Sequence, residues 1–354
     1  MAHSRSEGSI ARFERVAVVL SGSGALGAYQ AGALTAMELA DHRPNWLAGI
    51  GTGAFNAAIA AGNPPGERGA KLLFFWRALG EIARQDAPTL RERLRRRLGA
   101  GHSVGTALRA EPGQAPRRPI DTAKLRALLA QCVDFARINS GLTRLTLGTT
   151  HLATGAELSF DNDRHIIGID HVMASASLPG GMPPVMVDGE PYGTGAVLAV
   201  NSLSGIFDAA APADTLCFVI DGFDPAPPGS PGCSRSGQQI AAYRRAHDLR
   251  RIVGFLGERL PPELRRDSDV RRCLAQGSMA TMNLVHLVHE GGGPTELAGK
   301  LADFSGGGLA ERWRAGERDM AASLARSAWL APPSRRVGVV VHELRGSAPR
   351  SRIR

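Results

Sequence analysis

Apolar positions along the chain fall into two kinds of run. Short unbroken ones, "VAVVLSG" (Val16 to Gly22), "NWLAGIG" (Asn45 to Gly51) and "DTLCFVIDGF" (Asp214 to Phe223), each meet a glycine where they end. Runs of this length suit strands buried on both faces of a parallel sheet. Between and after the first two lie helical patterns. "ALGAYQAGALTAMELA" and "AFNAAIAAG" are rich in small residues, and "GERGAKLLFFWRALGEIA" has a large apolar face. Strand, helix, strand, helix in close succession predicts a mainly parallel sheet layered by helices, an α/β fold. The order lapses from about Arg84 to Pro119 into an arginine-rich, glycine- and proline-punctuated segment, read as an insertion or lid. "DTAKLRALLAQCV" restores a helix with Asp121 as its cap. "TRLTLGTTHLAT" and "AELSFDN", with Gly155 between them, predict a hairpin or adjacent strands. Helical patterns cover Gln238 to Leu260, Glu263 to His289 and Gly308 to Leu330, and "RVGVVVHEL" supplies a late strand. The expected organisation is a flexible N-terminus over 1–14, one domain over 15–346 with the insertion at about 84–119 and a helical part from about 237, and a disordered tail over 347–354.

Composition narrows this picture. The 354 residues are 43% apolar, enough for a buried core, and the 43 glycines follow no repeat period. Of the formal charge of +9, Arg84 to Arg118 carries +6 and Ser334 to Arg354 carries +5, which leaves −2 for the rest. The body is therefore nearly neutral, and basicity belongs to one insertion and one tail. Such segments are either solvated faces or contacts for phosphate head groups, so peripheral contact with an anionic membrane surface enters as an expectation. No aromatic interleaving and no zinc-finger or RNA-recognition signature accompanies them, and no nucleic acid is expected. Cys132, Cys217, Cys233 and Cys273 lie far apart without C-x-x-C spacing, as reduced structural thiols would. The first apolar run is too short for a secretory core, and none approaches the 18 residues of a membrane span. A cytoplasmic location is expected.

Two motifs carry chemistry. The first strand runs into "GSGALG", Gly22 to Gly27, which satisfies G-x-G-x-x-G. Three readings fit it. One is a dinucleotide pyrophosphate turn, with Asp41, 19 residues after Gly22, as the ribose acid, although Asp41 follows a helix instead of closing a strand. Another is an oxyanion cradle of backbone N–H groups, and the third a bare strand-to-helix turn. The second motif is "GIGTG": Gly49, Ile50, Gly51, Thr52 and Gly53 fill the five places of a G-x-S-x-G nucleophile elbow, with glycine at the vertex. Glycine keeps such a corner without strain and removes its hydroxyl.

Both motifs sit within stretches that resemble a known family. "VVLSGSGALGAYQAGAL" followed by "WLAGIGTGAFNAAIAAGNPP" resembles the start of a patatin-like phospholipase domain. "HVMASASLPGGMPPVMVDGEPYGTGAVLAVNSL" resembles the stretch where that family carries its catalytic aspartate in a D-G-G or D-G-A triplet after a tyrosine, and "VDFARINSG" and "ERWRAG" resemble its bacterial branch. The resemblance covers roughly Arg15 to Gly316. It implies a three-layer α/β/α sandwich, a Ser–Asp dyad without histidine, a lipid or acyl-chain ligand, a role in lipid metabolism and no cofactor. It also places the oxyanion donors at Gly22, Ser23, Gly24 and Gly27, and the elbow at Gly49, Gly51, Thr52 and Gly53. Glycine (Gly51) then stands at the nucleophile position, and Thr194, followed by Gly195 and Ala196, stands at the aspartate position. Tyr192 and the flanking glycines hold both departures in register.

The expected function is therefore a patatin-like lipid acyl hydrolase homologue without an intact dyad, inactive or very weak, that binds a lipid. An alternative is an active esterase with its nucleophile relocated to Ser21, Ser23, Thr52, Ser175 or Ser177, and a further one is dinucleotide binding. Asp188 is read as a turn residue and His171 as a helix-start or core residue. His286 and His289 are placed on one helix face, without the carboxylate or cysteine partner that a metal site needs.

Overall fold

The computed structural model describes residues 13–22, 24–85, 121–177, 182–194, 213–222, 235–289, 300–345 and 348–350. The insertion expected at about 84–119 lies outside these residues except for its first two, which end a helix.

A ten-stranded sheet forms the middle layer. Its centre is β1 (Arg15–Leu20), which pairs in parallel with β2 (Trp46–Gly49) on one side and β7 (Thr215–Asp221) on the other. β3 (Arg144–His151) extends the sheet beyond β2. β8 (Met282–Val288) and β9 (Val339–Arg345) extend it beyond β7, again in parallel. β4 (Glu157–Asp161), β5 (Val185–Val187) and β6 (Glu190–Gly193) are antiparallel additions at the β3 end. Successive strands thus depart from β1 in opposite directions, so β1 and β7 flank the point where the strand order reverses.

Alternation along the strands builds two cores. Val16, Val18, Leu20, Leu216, Phe218 and Ile220 face one way. The helices there include α1 (Gly27–Leu39), α2 (Thr52–Ala61) and α3 (Arg68–Gln85), with α4 (Thr122–Cys132), α5 (Phe135–Asn139) and α6 (Ile169–Ala176) beside them. Ala17, Val19, Cys217, Val219 and Leu284 face the other way, under Ile240 and Tyr243 of α7 (Arg235–Arg259). Two short helices follow, α8 (Pro262–Arg265) and α9 (Ser268–Leu274), and α10 (Gly306–Leu324) returns to the first face. The small residues of α1 now have a cause. A Cβ on Gly32 would stand 2.1 Å from the carbonyl oxygen of Trp313, and one on Gly316 would stand 1.9 Å from that of Tyr29, so α1 and α10 cross with their backbones touching.

The expected α/β/α fold with a mainly parallel sheet is present. Asp121 caps α4 by accepting from the N–H groups of Ala123 and Lys124, and β3 and β4 form the expected hairpin. Two expectations are corrected. The helical pattern from Glu263 to His289 resolves into α8, α9 and the buried strand β8, so the part of the chain after 237 is not wholly helical. Within the tail expected to be disordered, Ala348–Arg350 forms a short strand, β10, antiparallel to β9.

Candidate active site

The stretch Gly49 to Gly53, expected from the sequence as an elbow, joins a strand to a helix. β2 ends at Gly49, and Gly51 turns the chain into α2 with φ 59° and ψ −134°, a backbone region that strains any residue carrying a Cβ. Its neighbours interlock by lacking side chains. A Cβ on Gly53 would lie 2.1 Å from the Leu20 carbonyl oxygen, and one on Gly49 would lie 2.4 Å from that of Gly53. One on Gly22 would lie 2.5 Å from the Ile50 oxygen and 2.8 Å from Gly51 Cα. Cradle and elbow are therefore in direct backbone contact at the carboxyl ends of β1 and β2. Gly27 opens α1, and Gly24 starts a short 3-10 turn before it; Ser23 lies outside the described residues.

Thr194 follows β6 and is buried, at 2% exposure. Its N–H donates to the carbonyl oxygen of Ser177 at 2.6 Å, while the Gly51 N–H donates to that of Ser175 at 3.0 Å. Gly51 and Thr194 thus hang from carbonyls two residues apart at the end of α6. Gly195 and Ala196 lie outside the described residues.

Most of the substitute hydroxyls named from the sequence are tied to backbone oxygens. Thr52 Oγ1 donates to Gly24 at 2.9 Å, Ser175 Oγ to Gly148 at 2.6 Å, and Ser177 Oγ to Pro183 at 2.6 Å. Thr52 thereby ties the elbow to the cradle. Ser21 differs. Its hydroxyl donates to Asp221 Oδ1, and the other carboxylate oxygen, Oδ2, is 2.7 Å from His286 Nε2. Asp221 and His286 are 2% and 3% exposed, whereas Ser21 is half-buried.

Parallel pairing explains this row. Leu20 is opposite Ile220, so Ser21 and Asp221 are the next residues at the ends of adjacent strands, and His286 lies on the strand beyond. The row is also held from behind. Gln30 Nε2 donates to the carbonyl oxygen of Ser21 and, at 3.0 Å, to that of Ile220. Gln30 Oε1 accepts from Asn56 Nδ2 at 3.3 Å, that same amide donates to the Gly27 carbonyl at 2.8 Å, and Asn56 Oδ1 accepts from Trp76 Nε1 at 2.8 Å. Placing His286 and His289 on one helix face is therefore corrected: His286 belongs to β8 and has a carboxylate partner. His289 just beyond it packs at a tilt against Tyr29 with centroids 4.7 Å apart, and burial pushes its pKa down to about 4.

The remaining candidates have structural roles. Asp188 (φ 50°) and Gly189 (φ 84°) make the exposed two-residue turn between β5 and β6. His171 Nδ1 accepts from the Gly168 N–H at the start of α6, its ring packs on Phe160, and burial lowers its pKa. Asp41 pairs with Arg43 in the turn after α1, opposite the cradle end of a 13-residue helix of about 20 Å. It is badly placed for a ribose held at Gly22. Among the described residues no group of three or more His, Cys, Asp or Glu side chains could hold a metal ion, and no helix is long and apolar enough to cross a membrane. An open apolar depression of about 470 Å³ on α3 is lined by Leu73, Phe74 and Arg77, none of them in the elbow or cradle.

Comparison with known proteins agrees with the motifs. A family model described as patatin-like phospholipase matches residues 18–207, and a second, described as patatin phospholipase, matches 233–336. No curated protein matches. Among solved structures, VipD from Legionella pneumophila is 11% identical with a TM-score of 0.33, over 85% of this chain and 67% of that one. With the first model covering more than half of its length, this chain belongs to the patatin-like phospholipase family.

Proposed function

We propose that this protein handles lipid acyl groups on a patatin-like scaffold from which the elbow chemistry has been removed. The observation that carries this reading is Gly51. The vertex keeps the conformation that would hold up a nucleophile, φ 59° and ψ −134°, with the strand, cradle and helix interlocked around it, yet it bears no side chain. Thr194 at the family's aspartate position has no carboxylate with which to accept a proton. Gly22, Ser23, Gly24 and Gly27 then serve as the oxyanion-binding cradle, and the elbow is a binding surface where hydrolysis is lost or very weak. Peripheral contact with an anionic membrane through the basic segment, and a cytoplasmic location, complete the proposal.

The test is the double substitution Gly51→Ser with Thr194→Asp, made together with Ser21→Ala so that any activity gained belongs to the elbow. Hydrolysis of p-nitrophenyl acyl esters is expected to rise about 100-fold or more over the Ser21→Ala protein, since a nucleophile and its base act as a unit. No gain from a folded triple variant would defeat the reading.

A further inference from the structure

The row at the carboxyl ends of β1, β7 and β8 supplies what the elbow lacks. We propose that Ser21 is a relocated acyl-accepting nucleophile, with Asp221 as its base and His286 as the positioning residue for Asp221. The inference rests on reading the chain as an acyl-handling scaffold, and it assigns to that scaffold a reactive centre on the opposite face of β1 from α2.

Three observations point there. The first is direct: the Ser21 hydroxyl donates to a carboxylate that is itself 2% exposed, and a buried carboxylate facing a hydroxyl is the arrangement that takes up its proton. The second is orientation. Asp221 is held through Oδ2 by His286 at 2.7 Å, and its own carbonyl accepts from the His289 N–H at 3.0 Å, while Gln30 holds the Ser21 carbonyl. A base that is already oriented loses little freedom when it acts. The third is position. Ser21 immediately precedes Gly22, the cradle residues Gly22 and Gly24 are half-buried and not sealed in the core, and β1 and β7 flank the point where strand order reverses, which is where open α/β sheets take their ligands. Side-chain alternation sets Ser21, Asp221 and His286 on the face of Val19, Val219 and Leu284.

The substrate class is a carboxylic ester of a lipid. Ser21 Oγ forms a bond to the acyl carbon while its proton passes to Asp221 Oδ1, and the carbonyl electron pair moves onto oxygen beside the Gly22 and Gly24 amides. Collapse breaks the bond between the acyl carbon and the alcohol oxygen, which leaves with the proton from Asp221. Water then attacks the Ser21 ester, giving its proton to Asp221. The free acid departs as Ser21 Oγ recovers that proton.

The test is covalent capture by a long-chain alkyl fluorophosphonate, in which Ser21 Oγ displaces fluoride, followed by peptide mass spectrometry of the full-length protein. The adduct is expected on Ser21, absent from Ser21→Ala, and formed about 100-fold more slowly in Asp221→Asn, which keeps the hydrogen bond but cannot take a proton. His286→Gln, which preserves a donor to Oδ2, is expected to stay within about tenfold of the parent, and His286→Leu to fall below it. Ser21→Cys retains a nucleophile and covers the case in which Ser21→Ala does not fold. A folded parent that gives no adduct on Ser21, or a rate indifferent to Asp221→Asn, overturns the proposal and leaves a polar strut between strands. The elbow triple variant reports separately: if it hydrolyses esters while the parent is not labelled, the scaffold reading stands and the Ser21 assignment alone fails.

Discussion

Gly51 combines φ 59° with ψ −134°, a backbone conformation that residues bearing a Cβ rarely adopt. Restoring a serine there restores the hydroxyl and the strain together. Gly51→Ser is therefore expected to lower unfolding stability by about 1–3 kcal/mol, read from the midpoint of chemical denaturation. An unchanged midpoint would mean that the corner relaxes and is no true elbow. The vertex was legible in the sequence because spaced small residues are a local pattern, written within five positions. Ser21 was visible only as one of several hydroxyls. Its partners lie 200 and 265 residues downstream, and the apolar run around His286 has no period that separates strand from helix, so nothing local marks the pair.

At the scale of elements, the alanine- and glycine-rich composition of α1 predicts a helix without saying what it packs against. The structure answers with α10, brought into backbone contact through Gly32 and Gly316. Gly316→Leu is expected to cost about 1–3 kcal/mol or more, because its side chain has no room opposite the Tyr29 carbonyl. Equilibrium unfolding of the variant checks this, and a loss below about 0.5 kcal/mol would show that the crossing is loose. β8 belongs to this same scale. "MNLVHLV" is a short apolar run whose period does not separate strand from helix, and only pairing with β7 and β9 decides it.

Across the whole molecule, burial lowers the pKa of His42, His171, His247, His289 and His342, in each case as the largest cause, and takes His289 to about 4. The folded state therefore holds these rings neutral, while the unfolded chain takes up protons below its ordinary value of about 6.5. Stability is fully present above that value and is lost as pH falls toward 4. The melting temperature is expected to be level from pH 7 to 8 and to drop steadily from about 6.5 downward. His289→Phe, which keeps the ring against Tyr29 and removes the titration, should make the lower part of the curve shallower. A melting temperature that climbs on acidification through this range would contradict the assignment.

Local order in this protein is written locally. The parallel α/β class, the strand-to-helix corners, the Asp121 cap, the hairpin after His151 and the missing elbow hydroxyl all follow from residues within a few positions of one another, because backbone preference and side-chain period act over that distance. Three features depended on tertiary structure: the neighbours of β1, the contact of α1 with α10, and the meeting of Ser21, Asp221 and His286. Strand order and register are settled by burying both faces of the sheet at once, a condition on the whole chain that no short stretch can express.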